Sequence, residues 1–371
     1  MGRMIGGGDA ILRAASPDPA GSGGIDGGSV ATVAQSARRH GRRTLVTRLL
    51  TRPEFGSVVG AVVVFAFFAW RADRFLTMRA AANILDPASL LAIMAVAVAL
   101  LMIAGEFDLS AGVTVGATGT LLGMLTVHGG WNLWLAMAVS LLFAVAIGLF
   151  NGVLVVRTRL PSFIVTLGTL FMVLGANTGV TRLVANRIIV SGIDQVPGFE
   201  TAARIFASNV YGSFRVPILW CLAITLGATW VLMRTRFGNW VFACGGDVKA
   251  ARAAGVPVER TKVALFVYVS VSAWLVGMMN AFRLGSAAVS TGRGQEFEYI
   301  IAAVIGGTLL TGGYGSAIGA AIGALMFGMV RQGIVLSRWD ADWFFLFLGA
   351  MLLLAALLNQ FVRRAAQEAR R

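Results

Sequence analysis

The chain contains ten apolar segments, joined mostly by connections too short for anything but turns. This pattern constrains the fold more than any other feature. Approximate limits are 56–70, 88–104, 109–127, 132–156, 161–180, 217–234, 263–282, 297–311, 315–335 and 342–361. A helix that crosses the bilayer core needs about 20 mainly apolar residues. Helices suit that environment because they satisfy their own backbone polar groups without water. Segments 56–70 and 297–311 are short, so either flanking residues complete them or they are broken helices inside a bundle. Short connections set successive helices antiparallel. The expectation is an all-α polytopic membrane protein of about ten transmembrane helices, some short or broken. Composition agrees: 57% of residues are hydrophobic and 13% charged, with mean hydropathy +0.79. Soluble domains carry roughly twice that share of charge. The 46 glycines suit close approach of membrane helices.

The net charge of +14 would suit a nucleic-acid binder, but the basic residues lie between apolar spans and not on one continuous face. That is the pattern of the positive-inside rule, and no nucleic-acid partner is expected. Residues 1–36 are rich in Gly, Ala, Ser and Asp without apolar periodicity and read as disordered. They lack the apolar core of a signal peptide. Arg38, Arg39, Arg42, Arg43, Arg48 and Arg52 then precede the first span and anchor the N-terminus in the cytoplasm. The expected division is a disordered basic cytoplasmic tail at 1–52, a transmembrane domain at 53–362 and a cytoplasmic tail at 363–371. With both termini inside, the inner segments and their rims hold 20 of the 31 Lys and Arg and the outer loops hold 10, with Arg331 inside a span. The outer loop expected at 71–87 opposes the rule through Arg71, Arg74 and Arg79. Only two connections are long: an outer one at 181–216 and an inner one at 235–262.

An ATP-binding Walker A loop needs Lys followed by Ser or Thr. The chain has only Lys249 and Lys262, followed by Ala250 and Val263. No HExxH, GxSxG or CxxC pattern is present, and Cys221, Cys244, His40 and His128 are not spaced as a metal site or redox pair. These absences argue against an enzyme, and neither a metal nor a cofactor is expected.

Four stretches carry candidate chemistry. In 101–112, Glu106 and Asp108 interrupt two apolar runs. An acid that deep is costly, so Asp108 or Ser110 caps the next helix, lines a polar path, or does both. In 160–170, Pro161 suits a first helical turn. Ser162, Thr166 and Thr169 then share one face, to bond across helices or to line a path. In the inner loop, Asp247 caps a short helix that Gly255 and Pro257 end, either a surface feature or a docking helix. Gly315, Gly319 and Gly323 form a small-residue face for packing or a dimer contact, and Arg331 is expected to snorkel.

These stretches give the chain its family likeness. GEFDLSAG at 105–112, LPSFIVTLGTLFMVLG at 160–175, TRFGNWVFACGGDVKAARAAGV at 235–256 and the glycine-rich 283–333 resemble, in the same order, the ribose/xylose/arabinose-type permeases of ABC importers. Asp108, Leu109 and Ser110 match the family pattern, while Glu106-Phe107 stands where Gly-Ile is more usual. The resemblance implies an ABC importer permease fold in the bacterial inner membrane, with membrane lipid around it. It implies three protein partners: a separate ABC ATPase subunit, a periplasmic sugar-binding protein, and a second permease copy or paralogue. Candidate substrate-path residues are Phe107, Asp108, Ser110, Ser162, Phe163, Thr166 and Thr169. The candidate ATPase coupling loop is Asp247, Ala250, Ala251, Arg252, Ala253, Ala254 and Gly255. The rival reading is an ion-coupled secondary transporter using Glu106 and Asp108.

Overall fold

The computed structural model describes residues 53–368, and side chains from 54 to 357. The arginine cluster at 38–52 and the tail expected at 1–52 lie outside the described residues.

Each of the ten apolar segments contains a helix. In chain order the main helices are α1 (Pro53–Arg71), α2 (Met78–Ile103), α3 (Ala111–Gly123, continued by a π-turn to His128), α4 (Leu133–Thr158) and α5 (Ser162–Ala185). A short α6 (Phe199–Phe206) precedes α7 (Pro217–Arg234), α8 (Arg236–Gly246), α9 (Val248–Ala253) and α10 (Val258–Leu284). The chain ends in α11 (Gln295–Ile305), α12 (Ala317–Leu336) and α13 (Trp343–Glu368). Eight of these elements are long and apolar enough to cross a membrane: α1, α2, α3 with its π-turn, α4, α5, α7, α10 and α12. Over its described side chains, Trp343–Leu357, α13 is a shorter apolar helix.

The bundle has a centre and a shell. In α2, every residue from Ala92 to Ile103 is buried, which a helix apolar on all sides requires. Helices α3, α10 and α12 surround it and are themselves largely buried, whereas α1, α5 and α7 keep most of their apolar surface outward. Polar side chains tie helix to helix: Thr120 Oγ1 donates to Asn177 Oδ1 at 2.6 Å and Trp274 Nε1 to Ser140 Oγ at 3.0 Å.

With 27 residues, α10 is about 40 Å long, and it separates two ends of the bundle. At one end lie α8 and α9. At the other, β1 (Ile189–Ser191) pairs antiparallel with β4 (Ser286–Ala288), setting Val190 opposite Ala287. Beside this ribbon, Phe206 of α6 stacks on Trp220 and Phe282. The hairpin of β2 (Asn209–Tyr211) and β3 (Phe214–Arg215) follows α6.

Several boundaries differ from expectation. The segment 71–87 is not all loop: α2 begins at Met78, where Thr77 Oγ1 accepts from Ala80 N at 3.2 Å. Apolarity begins later because Arg79 and Asp86 sit on this first part. The short segment 56–70 is completed by its flanks, while 297–311 yields only an 11-residue helix before the chain turns at Gly306. The inner loop holds two helices, not one. In the loop at 181–216, α5 continues to Ala185. The glycine face works within the subunit: Cβ atoms added at Gly319 and Gly323 would meet the carbonyl oxygens of Gly306 and Ala302. Gly315 precedes the helix and faces Ile103 and Thr308.

Candidate functional site

The break between α2 and α3 is held by its own side chains and by those of two helices, α4 and α5. Ser162 Oγ accepts from Phe107 N at 3.0 Å, and Thr166 Oγ1 accepts from Leu109 N at 3.1 Å. The hydroxyl stripe of α5 therefore satisfies backbone donors that the broken helix leaves unpaired. Asp108 Oδ1 accepts from Ser110 N at 2.9 Å and from Ser110 Oγ at 2.6 Å. This holds the turn just before α3; the N-cap residue, Ser110, makes no side-chain capping hydrogen bond to the helix, so the expected cap takes the form of a turn ahead of it. Ser110 Oγ accepts from Asn151 Nδ2 at 2.9 Å, and Asn151 Oδ1 accepts from Thr169 Oγ1 at 2.6 Å. Asp108, Ser110, Asn151, Thr166 and Thr169 are all at most 3% exposed. Asn151 is the member that sequence reading missed; its only signal was an amide in the middle of the apolar stretch 133–156. Phe107 is half-buried at the edge of this network, while Phe163 is 52% exposed on the outside of α5.

Glu106 turns the other way and forms an ion pair with Lys262 of α10, both largely shielded from solvent. The break is thus tied to the inner loop. There the backbones meet directly. Gly313 N donates to Ile103 O at 2.8 Å. A Cβ at Gly245 would strike Ile103 O and lie 2.5 Å from Gly313 N; one at Gly312 would lie 2.9 Å from Gly105 Cα. Three chain turns, at 103–105, 245–246 and 312–313, therefore touch where side chains are absent.

The candidate coupling helix α9 follows immediately. Asp247 Oδ1 accepts from Lys249 N at 2.8 Å and Ala250 N at 3.1 Å, a two-bond N-cap. Gly255 has φ +79° and ends the helix. Ala251 is buried against the bundle, while Ala250, Arg252, Ala253 and Ala254 are exposed. Arg252 pairs with Glu259 at 2.7 Å across the surface. Space around Gly255 is open, so valine there meets only the left-handed backbone penalty, about 1–2 kcal/mol. The Gly255→Val protein is expected to insert normally and to lose ATPase association or substrate-stimulated hydrolysis. Normal association and transport would remove α9 from the coupling role.

A bundle of apolar helices with polar groups at its breaks defines a polytopic α-helical membrane protein. The chain belongs to the family of branched-chain amino acid transport system permease components, which matches residues 80–356. The xylose transport system permease protein XylH of Escherichia coli (strain K12) is 29% identical, covering 84% of this chain and 92% of the relative. The ribose import permease protein RbsC of the same strain is 31% identical over 82% of this chain and 92% of its own. The fructose import permease protein FrcC of Rhizobium meliloti is 30% identical, covering 87% and 86%. None of the solved structures matches the chain.

Proposed function

We propose that this chain is the membrane-spanning subunit of an ATP-driven importer for a monosaccharide or a related small polyol. The observation that carries the reading is the family match across residues 80–356, together with the similarity to relatives named for xylose, ribose and fructose. ATP hydrolysis belongs to a separate ATPase subunit, since neither lysine of this chain is followed by Ser or Thr. That subunit docks on α9, whose exposed alanines let a partner surface approach closely. The glycine junction and the Glu106–Lys262 pair then carry movement of α9 to the α2–α3 break, as one rigid element biasing another. A periplasmic sugar-binding protein docks at the opposite end, where α6 and the β2–β3 hairpin project. A second permease copy or paralogue completes the membrane part. Both termini are cytoplasmic in this arrangement, following the charge bias.

The orientation has a direct test. In a background lacking Cys221 and Cys244, an impermeant thiol reagent on spheroplasts is expected to label cysteine at position 209 and spare one at position 250. Asn209 and Ala250 are both exposed, so accessibility alone does not separate them. The reverse pattern would overturn the orientation and the docking role of α9.

A further inference from the structure

A cavity of about 190 Å³ lies between α2, α10, α11, α12 and α13, toward the β1–β4 end of the bundle. Its polar wall includes Asn280, Arg283, Gln295, Glu298 and Arg331, and Phe344 supplies an aromatic side. Ionisable groups within membrane helices are costly and usually serve a path or a partner. Arg283 is paired with Asp86 of α2 at 2.8 Å. Neither Glu298 nor Arg331 makes an ion pair among the described residues; the Arg331 guanidinium lies 5.3 Å from the centre of the Phe344 ring. Arg331 is thus part of this wall, where sequence reading expected only a snorkelling side chain. Gln295 Oε1 accepts from Tyr299 Oη at 2.9 Å, which leaves the Gln295 amide N–H groups free to donate.

The chemistry of this wall is balanced. One acid, Glu298, lines it with the two guanidinium groups of Arg283 and Arg331; Asp86, outside the lining, offsets the charge of Arg283, and the amides of Asn280 and Gln295 add donors and acceptors of no net charge. A free cation would meet the Arg331 guanidinium and a free anion the Glu298 carboxylate. A neutral solute whose hydroxyls both donate and accept meets neither penalty, and an apolar face of such a solute packs on an aromatic ring. By contrast, the hydroxyls around Asp108 are bonded to one another and to backbone N–H groups.

We propose that this cavity is the site where a monosaccharide or small polyol first binds within the permease, held by Gln295, Glu298, Arg283 and Arg331 beside Asn280 and Phe344. The proposal rests on the importer reading for its place in transport, but occupancy of the cavity can be measured without transport.

The test uses the full-length chain lacking Cys221 and Cys244, purified in detergent, with Asn280→Cys in the cavity and Asn209→Cys as the surface control. Thiol modification is followed with and without a saturating mixture of D-xylose, D-ribose and D-fructose. Modification at position 280 is expected to slow several-fold while position 209 is unchanged. Equal rates at position 280 with and without the sugars would overturn the proposal. A second arm measures ATP-driven sugar uptake by the assembled complex, normalised to inserted protein, for Gln295→Leu and Glu298→Ala. Each is expected to lower uptake about tenfold, the scale of one lost charge-assisted hydrogen bond. Unchanged uptake in both variants would also overturn the proposal. Protection at position 280 in a chain whose wild-type complex moves no sugar would uphold the cavity and remove the importer reading, so the two failures are separable.

Discussion

Replacing Gly245 with alanine is expected to destabilise the protein, while the same change at the neighbouring Gly246 is expected to be neutral or slightly stabilising. Both glycines end α8. Neither has positive φ, so backbone conformation does not distinguish them. Space does: one methyl group at Gly245 collides with the carbonyl oxygen of Ile103 and comes within 2.5 Å of Gly313 N, whereas one at Gly246 meets nothing within 4 Å. The obstacles at Gly245 are backbone atoms, which cannot rotate away as a side-chain end can. The methyl must therefore part the turns at 103–105 and 312–313 and stretch the bond from Gly313 N to Ile103 O. Overpacking of this kind costs about 1–3 kcal/mol. At Gly246 alanine instead removes the helix penalty of glycine, about 0.5–1 kcal/mol. Melting of the two purified variants in detergent checks the contrast, and co-purification of the ATPase subunit reports on coupling. A Gly245→Ala protein that melts with the wild type would mean that these three turns do not touch as described. One that melts lower yet still couples normally would separate stability from transmission.

The contrast between Gly245 and Gly246 also marks where sequence reading stops. What is local was legible. The Asp247 cap and the Gly255 stop of α9 follow from residue types within one turn, and both are present. The apolar segments announced their helices because lipid-facing and core-facing residues are both apolar. Hydropathy failed where a helix outran its apolar stretch. Residues 78–87 carry Arg79, Asp86 and Pro87, yet they are helical, because Thr77 caps the start and Asp86 finds Arg283 across the bundle. The rest depends on meetings between distant residues, which no local pattern records. Glycines at 105, 245 and 312 look alike in sequence, and only the fold shows that they share one junction. The hydroxyl stripe of Ser162, Thr166 and Thr169 was legible as a face, but its partners, Phe107 N, Leu109 N and Asn151, were not. The cavity was invisible for the same reason: its wall gathers polar residues from α10, α11 and α12 that lie far apart in sequence.

Asp108 decides between the importer and its ion-coupled rival. One oxygen, Oδ1, accepts two hydrogen bonds from Ser110. The other, Oδ2, is buried and has no hydrogen-bond partner among the described residues, and no cation pairs with the carboxylate there. Asparagine keeps the Oδ1 acceptor and removes an uncompensated charge, so Asp108→Asn is expected to fold and transport near the wild-type level. Alanine removes the acceptor. It leaves the Ser110 N–H and hydroxyl without it in a site at most 1% exposed. A buried polar group left unsatisfied costs about 1–3 kcal/mol, so Asp108→Ala is expected to reduce the amount of folded protein. Its effect should pass along the chain to Asn151 and Thr169, whose bonds depend on where Ser110 Oγ sits. An ion-coupling role reverses the order of the two variants: Asn removes the charge that would bind the ion and abolishes transport while the protein still accumulates in the membrane. The measurement is sugar uptake per inserted protein for both variants, with the proton gradient intact or collapsed at constant ATP. Uptake that survives collapse, with Asn active and Ala poorly accumulated, is the expected result. An inactive, well-inserted Asn variant whose wild-type parent stops when the gradient collapses would replace the ATP-driven reading with the ion-coupled one and give Asp108 the ion.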